Sequence, residues 1–188
     1  MLKLYIAGNL GAATSESILA DPIKVNVGLT TGSIEVLDKH YDLLGNISNN
    51  IVEYTFLKEN KVETRTFFFR TGIFWIGNKN IVNLNLLLPN LNSTILQEKQ
   101  NTFVDKKYDT TVIVYGNNMV ELTSNSSEEP ILKEIERVKQ QIEKETEILV
   151  KIEKPTLQQT AKKKILEEEL YSFQQLVLFL KEFKKRGK

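Results

Sequence analysis

The sequence predicts an α+β chain: a β-sandwich, or flattened barrel, over residues 1–88, followed by an antiparallel helical hairpin over residues 128–188. Three observations carry this prediction. Short apolar runs of period two recur up to residue 88, separated by Gly, Asn and Pro. From Ile131 onward the apolar residues fall at spacings of four and three instead. Pro155 divides that helical pattern into two segments.

Leu2, Leu4 and Ile6 alternate with Lys3, Tyr5 and Ala7 in a first strand, which Gly8-Asn9 and Gly11 are expected to end. Residues 15–19 form a weaker second strand, closed by Asp21-Pro22. Val25, Val27 and Leu29 alternate with small or polar residues until Thr30-Thr31-Gly32 breaks the run, and Ile34 and Val36 resume it. That is a β-hairpin with one buried face. A loop carrying His40 follows, and then a strand over residues 51–57 with Val52, Tyr54 and Phe56 on its apolar face. Glu59-Asn60-Lys61 turns the chain back into residues 62–69. Thr71-Gly72 is read as a turn into 73–76, and Gly77-Asn78-Lys79 as a turn into a last strand over 81–88. Many short strands with turn residues between them argue for a sandwich or barrel. Phe67, Phe68 and Phe69 cannot share one face of a strand, so another element, with the C-terminal helices the expected cover, or a partner must cover some of these rings.

Residues 89–127 read as an insertion. Its first part is polar, and residues 109–115 and 119–122 flank Gly116-Asn117-Asn118 as a hairpin with edges open to a neighbouring chain. Ser127 is the expected cap of the first helix, with Pro130 in its first turn. Ile135, Val138 and Ile142 mark the apolar seam of that helix, and Leu170, Phe173 and Val177 the seam of a second helix begun at Thr156. Leu176, Leu178, Phe179 and Phe183 widen the second seam near its end. Two such helices joined by a short break fold back on each other.

Composition excludes several classes of function. A net charge of +1 supplies no general attraction for nucleic acid or an anionic membrane. With no cysteine there is no disulfide framework, thiolate metal site or cysteine nucleophile. His40 is the single histidine, which disfavours a metal site of ordinary composition, and Gly8-Asn9-Leu10-Gly11 lacks the spacing and lysine of a phosphate-binding loop. No catalytic constellation emerges, and no cofactor or metal is expected. The apolar start of the chain is too short for a secretory segment, and no window approaches the roughly 18 apolar residues of a membrane span. The expectation is a soluble cytoplasmic protein, peripheral on the inner face of the plasma membrane if it joins a membrane-bound complex.

The hairpin and the histidine loop together resemble a known signature. The epsilon subunit of F-type ATP synthases carries a strand, a Gly-Glu-Ile-type turn, a strand and a Pro-Gly-His-Ala-Pro-Leu-like loop in this order. The matching residues here are Gly32-Ser33-Ile34, Val36-Leu37 and Asp38-Lys39-His40-Tyr41-Asp42-Leu43-Leu44. Downstream, Thr71-Gly72-Ile73-Phe74 and Gly77-Asn78-Lys79-Asn80 continue the similarity, which covers about residues 2–88. It departs from the pattern where Asp38, Lys39, Tyr41 and Asp42 replace Pro, Gly, Ala and Pro around the histidine, and the Lys/Glu/Leu-rich helices differ from the Ala-rich helices common in the family.

The resemblance implies a non-catalytic rotor subunit of an F-type or F-like rotary ATPase. Its partner would be a gamma-like coiled-coil subunit, with the alpha and beta head reached indirectly and a membrane ring or a complex-specific subunit nearby. Carried over by position, the interface residues are Ser33, His40, Leu43 and Leu44. The short Asp-containing motif by which some epsilon subunits bind ATP is absent, so nucleotide binding is not expected. Two alternatives stand beside this reading: an adaptor in an unrelated assembly, and a subunit of a specialised F-like motor such as gliding machinery.

Overall fold

The computed structural model describes residues 2–10, 14–77, 110–152 and 154–187. It divides into two compact units, Met1–Glu121 and Leu122–Lys188. The first contains β1 (Leu2–Leu10), β2 (Thr14–Ala20), β3 (Lys24–Leu29), β4 (Gly32–Val36), β5 (Leu43–Lys58), β6 (Lys61–Gly77) and all but the last residue of β7 (Thr110–Leu122). The second contains α1 (Glu129–Val150) and α2 (Leu157–Arg186). An α+β chain with a sandwich followed by a helical hairpin is what the strand and helix periodicities predict.

The strands form one sheet in the order β2-β1-β7-β6-β5-β3-β4. Leu4 and Ile6 of β1, Val25 and Val27 of β3, Val52 of β5, Phe67 of β6 and Val114 of β7 meet in a common core, so the sheet closes over itself. The opposite face is not bare. Tyr5, Phe68 and Ile113 are as deeply buried as the core, so all three successive phenylalanines of β6 are covered.

Turn chemistry sets the two hairpins. Leu29 pairs with Gly32 across the two-residue loop Thr30-Thr31. Lys58 pairs with Lys61 across Glu59-Asn60, both left-handed at φ 51° and 63°, as a type I′ turn requires to match the twist of its strands. From that turn the β5–β6 register runs without a slip to Leu43↔Ile76. Thr71-Gly72 is therefore no turn: β6 is one strand of 17 residues.

What happens at Thr71-Gly72 is a bend. Inward-facing residues five apart, Ile47 and Val52 in β5, Phe69 and Phe74 in β6, and Val114 and Met119 in β7, both point into the core. Strict alternation would put residues five apart on opposite faces. The alternation thus breaks once in each of three neighbouring strands, where they cross from one layer of the sandwich to the other. Left-handed Asn49 (φ 46°) and Asn118 (φ 51°) absorb the break in β5 and β7, asparagine being among the few residues that tolerate this region. At Gly116 the strands touch backbone to backbone. A Cβ there would lie 2.6 Å from the Thr71 carbonyl oxygen, 2.6 Å from Phe69 Cδ1 and 3.1 Å from Gly72 Cα. Where the β3–β5 ladder ends at Val27↔Val52, the Asn50 side chain extends it, donating to the Leu29 carbonyl at 2.8 Å.

Two expectations for the region beyond residue 88 are corrected. Residues 109–122 are not a hairpin: Thr110–Leu122 is a single strand, parallel to β1 from Leu2↔Thr110 to Asn9↔Asn117. Nor is it an open flap, because β7 lies between β1 and β6. Gly116-Asn117-Asn118 supplies the bend rather than a reversal. β1 likewise continues past Gly8-Asn9 to Leu10. The turn at 77–79 and the strand expected over 81–88 fall outside the described residues except for Gly77, and so does the polar stretch from 89.

In the second unit the Glu129 amide donates to Ser127 Oγ at 3.3 Å, although the cap position itself is Glu128, one residue later than expected. Thr156 caps α2 in a full capping box: Gln159 N–H donates to its Oγ1 at 3.4 Å, and its own N–H donates to Gln159 Oε1 at 2.9 Å. The helices run antiparallel. Glu145 pairs with Lys162, Arg137 with Glu169 at 4.0 Å, and Glu128 with Lys181 and Lys184 at 3.8 and 3.7 Å. Of the predicted seam residues Ile135, Val138 and Val177 are buried, whereas Ile142, Leu170 and Phe173 are half-buried. Leu176 joins the buried set, but Leu178 faces out. Among the described residues no helix is long and apolar enough to cross a membrane.

Candidate functional site

The loop after β4 is built from local hydrogen bonds. The Lys39 amide donates to Asp38 Oδ1 at 3.1 Å, and Lys39 takes a left-handed conformation at φ 63°. The His40 amide then donates to Thr110 Oγ1 at 3.1 Å, tying the loop to the first residue of β7. The His40 ring donates from Nδ1 to the Tyr41 carbonyl oxygen at 2.8 Å, because a carbonyl oxygen can only accept. So anchored, the half-buried histidine holds the backbone that presents Tyr41, which is 88% exposed.

Leu43 and Leu44, read from sequence as part of this loop, are the first two residues of β5, paired with Ile76 and Trp75 of β6. Both are exposed, Leu44 at 64%. Strand pairing therefore fixes their positions while leaving their side chains open. The structure brings His40, Leu43 and Leu44 together, but Ser33 stands apart. It is exposed near the Thr30-Thr31 end of β4, opposite Gly28 and three rungs from Val36. Sequence reasoning also passed over Leu37 and Tyr41, both exposed apolar members of the same loop. Large apolar residues set singly among charged ones, in a segment with neither strand nor helix periodicity, are the signal that could have singled them out.

The densest polar constellation lies elsewhere. Arg65 of β6 makes a bidentate pair with Glu121 at the end of β7: Nε donates to Oε1 at 2.7 Å and Nη2 to Oε2 at 2.8 Å. Its Nη1 donates to the Tyr54 hydroxyl at 3.2 Å, and its guanidinium carbon lies 5.2 Å from the centre of the Phe67 ring. Tyr54 stacks on Phe67 with ring planes 3° apart. Hydrogen bonding to Glu121 holds Arg65 even more firmly protonated than usual, and burial raises the Tyr54 hydroxyl against the opposing pull of Arg65. Both carboxylate oxygens are engaged and the guanidinium is spread over three partners. This arrangement ties β5, β6 and β7 together rather than presenting a reactive group. Among the described residues no group of His, Asp or Glu is placed to hold a metal ion.

No protein-family model matches the chain, and no curated protein matches it. A solved structure that resembles it comes from Euglena gracilis mitochondrial ATP synthase, the cryo-EM structure of its OSCP/F1/c-ring in rotational state 1. The likeness has a TM-score of 0.49 at 13% identity and covers 95% of this chain and 81% of that one. At that score and identity the likeness carries no argument about family or activity.

Proposed function

We propose that the chain is a non-catalytic, epsilon-like central-stalk subunit of an F-type or F-like rotary ATPase. It would bind a gamma-like coiled-coil subunit and couple or regulate ATP turnover carried out by the alpha and beta head. The observation that carries this reading is an anchored loop with exposed Leu37 and Tyr41, running into exposed Leu43 and Leu44 at the start of β5, on a sandwich that the chain follows with a helical hairpin. From β3 to the His40 loop the order of strand, turn, strand and loop agrees with the resemblance drawn from the sequence, whereas the turn matched at Thr71-Gly72 is a bend within β6. One apparent departure also loses force: Lys39 occupies the position where the resembled loop has glycine, and it takes the left-handed conformation that suits glycine. His40, Leu43 and Leu44 are the proposed gamma contacts. Ser33, at the far end of β4, would need a second contact area. The complex would sit on the cytoplasmic face of the plasma membrane, with this subunit peripheral.

Affinity purification of the tagged chain from its native cells tests the proposal. Recovery of a gamma-like coiled-coil subunit with an ATPase head, weakened by Leu44→Asp, is the expected result. Recovery of an assembly without any ATPase subunit would favour the adaptor reading and remove this one.

A further inference from the structure

The ion pairs between α1 and α2 show which side chains share a flank of the helical unit. Glu128 reaches across to Lys181 at 3.8 Å, so these two residues mark one flank. Arg137, nine residues after Glu128 and therefore half a turn round, pairs with Glu169 on the other. Leu132 follows Glu128 by four residues and Leu178 precedes Lys181 by three, spacings that keep each on its neighbour's face. Tyr171 precedes Leu178 by seven, two turns along the same face. Leu132, Tyr171 and Leu178 are 48%, 53% and 53% exposed, and together they form one apolar patch on the first flank. The patch is short, about 10 Å from Tyr171 to Leu178. Beyond Leu132 the same face of α1 carries Glu136 and Lys139, and before Tyr171 that of α2 carries Lys164 and Glu167. A third helix, which buries a stripe of roughly three turns, would run onto these charges.

Past Leu178 the charge is one-sided. Residues 181–188 hold five of the chain's 25 cations and one of its 24 carboxylates, a net charge of +4, so the rest of the chain is negative. Lys181 and Lys185 follow Leu178 by three and seven residues on its own face, and Lys184 and Arg186 share their turn. Glu128 is divided between Lys181 and Lys184, and Glu129 is paired with Lys133, so the start of α1 lowers the charge of this end only to +3. Among the described residues Lys185 and Arg186 have no carboxylate partner. The carbonyls that end a helix attract cations, but their roughly half charge does not account for a run of five. Clustered cations beside exposed apolar side chains on one helix suit a lipid–water boundary. There the cations meet anionic headgroups, leucine enters the acyl edge and tyrosine straddles both. Nucleic acid would use the charge and leave Leu132 and Leu178 in water. We infer that this flank of the helical unit, Leu132, Tyr171 and Leu178 with Lys181, Lys185 and Arg186, rests on an anionic lipid surface. The contact is peripheral, since among the described residues no helix is long and apolar enough to cross a membrane. It draws on the helical unit alone, so it holds or fails independently of the gamma contact proposed above.

Flotation of the full-length protein with lipid vesicles tests the inference. Vesicles of phosphatidylcholine with phosphatidylserine should carry the protein at low salt, and vesicles of phosphatidylcholine alone should not. Raising the salt from about 50 to 300 mM should release it. Lys185→Gln and Leu178→Gln should each weaken binding about fivefold, the first by removing one cation near the surface, the second by removing the inserted side chain. Leu57→Gln, at an exposed leucine of the sheet, should bind as the wild type does. All three variants alter exposed side chains and should keep the wild-type circular dichroism. Equal binding to both kinds of vesicle overturns the inference, and so does binding that salt leaves unchanged. A synthetic helix with a leucine face and glutamate flanks that binds the protein when the vesicles do not would make the occupant a protein and overturn it too. Loss in Lys185→Gln with wild-type binding in Leu178→Gln refutes the surface as drawn, since charge alone would then suffice.

Discussion

Replacing Gly116 by alanine adds one methyl group at the bend where β7 crosses β6. The new Cβ would lie 2.6 Å from both the Thr71 carbonyl oxygen and Phe69 Cδ1, and 3.1 Å from Gly72 Cα. Ordinary carbon contacts need about 3.5–4.0 Å, so roughly 1 Å must be recovered. Two of the three obstructing atoms belong to the backbone of β6, which is held in register by β5 on its other side. The third belongs to a fully buried ring with no room to turn. The cost should therefore fall at the upper end of the usual overpacking range, about 3 kcal/mol. For a unit of this length that lowers the melting temperature by roughly 10 °C. Gly8→Ala is the internal comparison. Its Cβ would meet Met119 Cβ at 2.9 Å and the Gly116 carbonyl oxygen at 3.0 Å, contacts that a smaller shift relieves, so about 1–2 kcal/mol is expected. Urea unfolding followed by tyrosine and Trp75 fluorescence separates the two, provided that the denaturant slope stays constant. If Gly116→Ala unfolds within about 0.5 kcal/mol of wild type, the close approach of β7 and β6 is wrong, and the account of the bend goes with it.

Further outcomes follow from the same geometry. Arg65→Met removes a bidentate pair that is about a third exposed (37% and 33%), so after allowance for solvent screening it should cost about 1–2 kcal/mol, with a favourable coupling to Glu121→Gln in a double-mutant cycle; zero coupling would mean that the pair is incidental. Burial raises the Tyr54 hydroxyl above its ordinary value of 10.0, so the folded state retains a proton that the unfolded state loses. Its stabilising contribution is complete below that pH and fades as pH rises through the folded-state value. Chemical denaturation between neutral pH and the alkaline limit should therefore show a steeper loss of stability in wild type than in Tyr54→Phe, and parallel curves would count against a buried phenol. Thr156→Ala removes the side-chain arm of the capping box, leaving the backbone N–H bond to Gln159 Oε1, and should lower the stability of the helical unit by about 1 kcal/mol, read from its thermal unfolding by circular dichroism. A change confined to the noise would place the start of α2 elsewhere.

Much of the local structure was legible in the residues. Period-two runs located β1 to β4 and the paired halves of β5 and β6 next to their turn, but missed the first eight residues of β5 and the continuity of β6 through Thr71-Gly72, and Glu59-Asn60 announced a tight reversal. Thr156 and Pro155 placed the start of α2, and the four-three rhythm identified Ile135, Val138 and Val177 as buried. The site was legible in part. His40, Leu43 and Leu44 were drawn together by their order along the chain, whereas Ser33 was not separable from them by sequence, because only pairing with Gly28 shows which end of β4 it occupies.

Local chemistry determines which backbone conformations a residue tolerates and which faces of an element shun water. Those preferences made the strands, the capped helices and the apolar seam readable from the sequence by itself. The same preferences cannot tell a bend from a reversal. Gly116-Asn117-Asn118 and Thr71-Gly72 signal permissive or left-handed backbone, and that serves a hairpin turn and a sharp bend within one strand equally well. Only the tertiary structure decided between them. The parallel pairing of β7 with β1, more than a hundred residues apart in sequence, keeps β7 a single strand through its glycine. Pairing across the sheet also sets Ile23, just before β3, beside Thr55 in the half of β5 that leads to Leu57. Contacts of this kind arise from the closure of the whole sheet, a property that no short window of sequence contains.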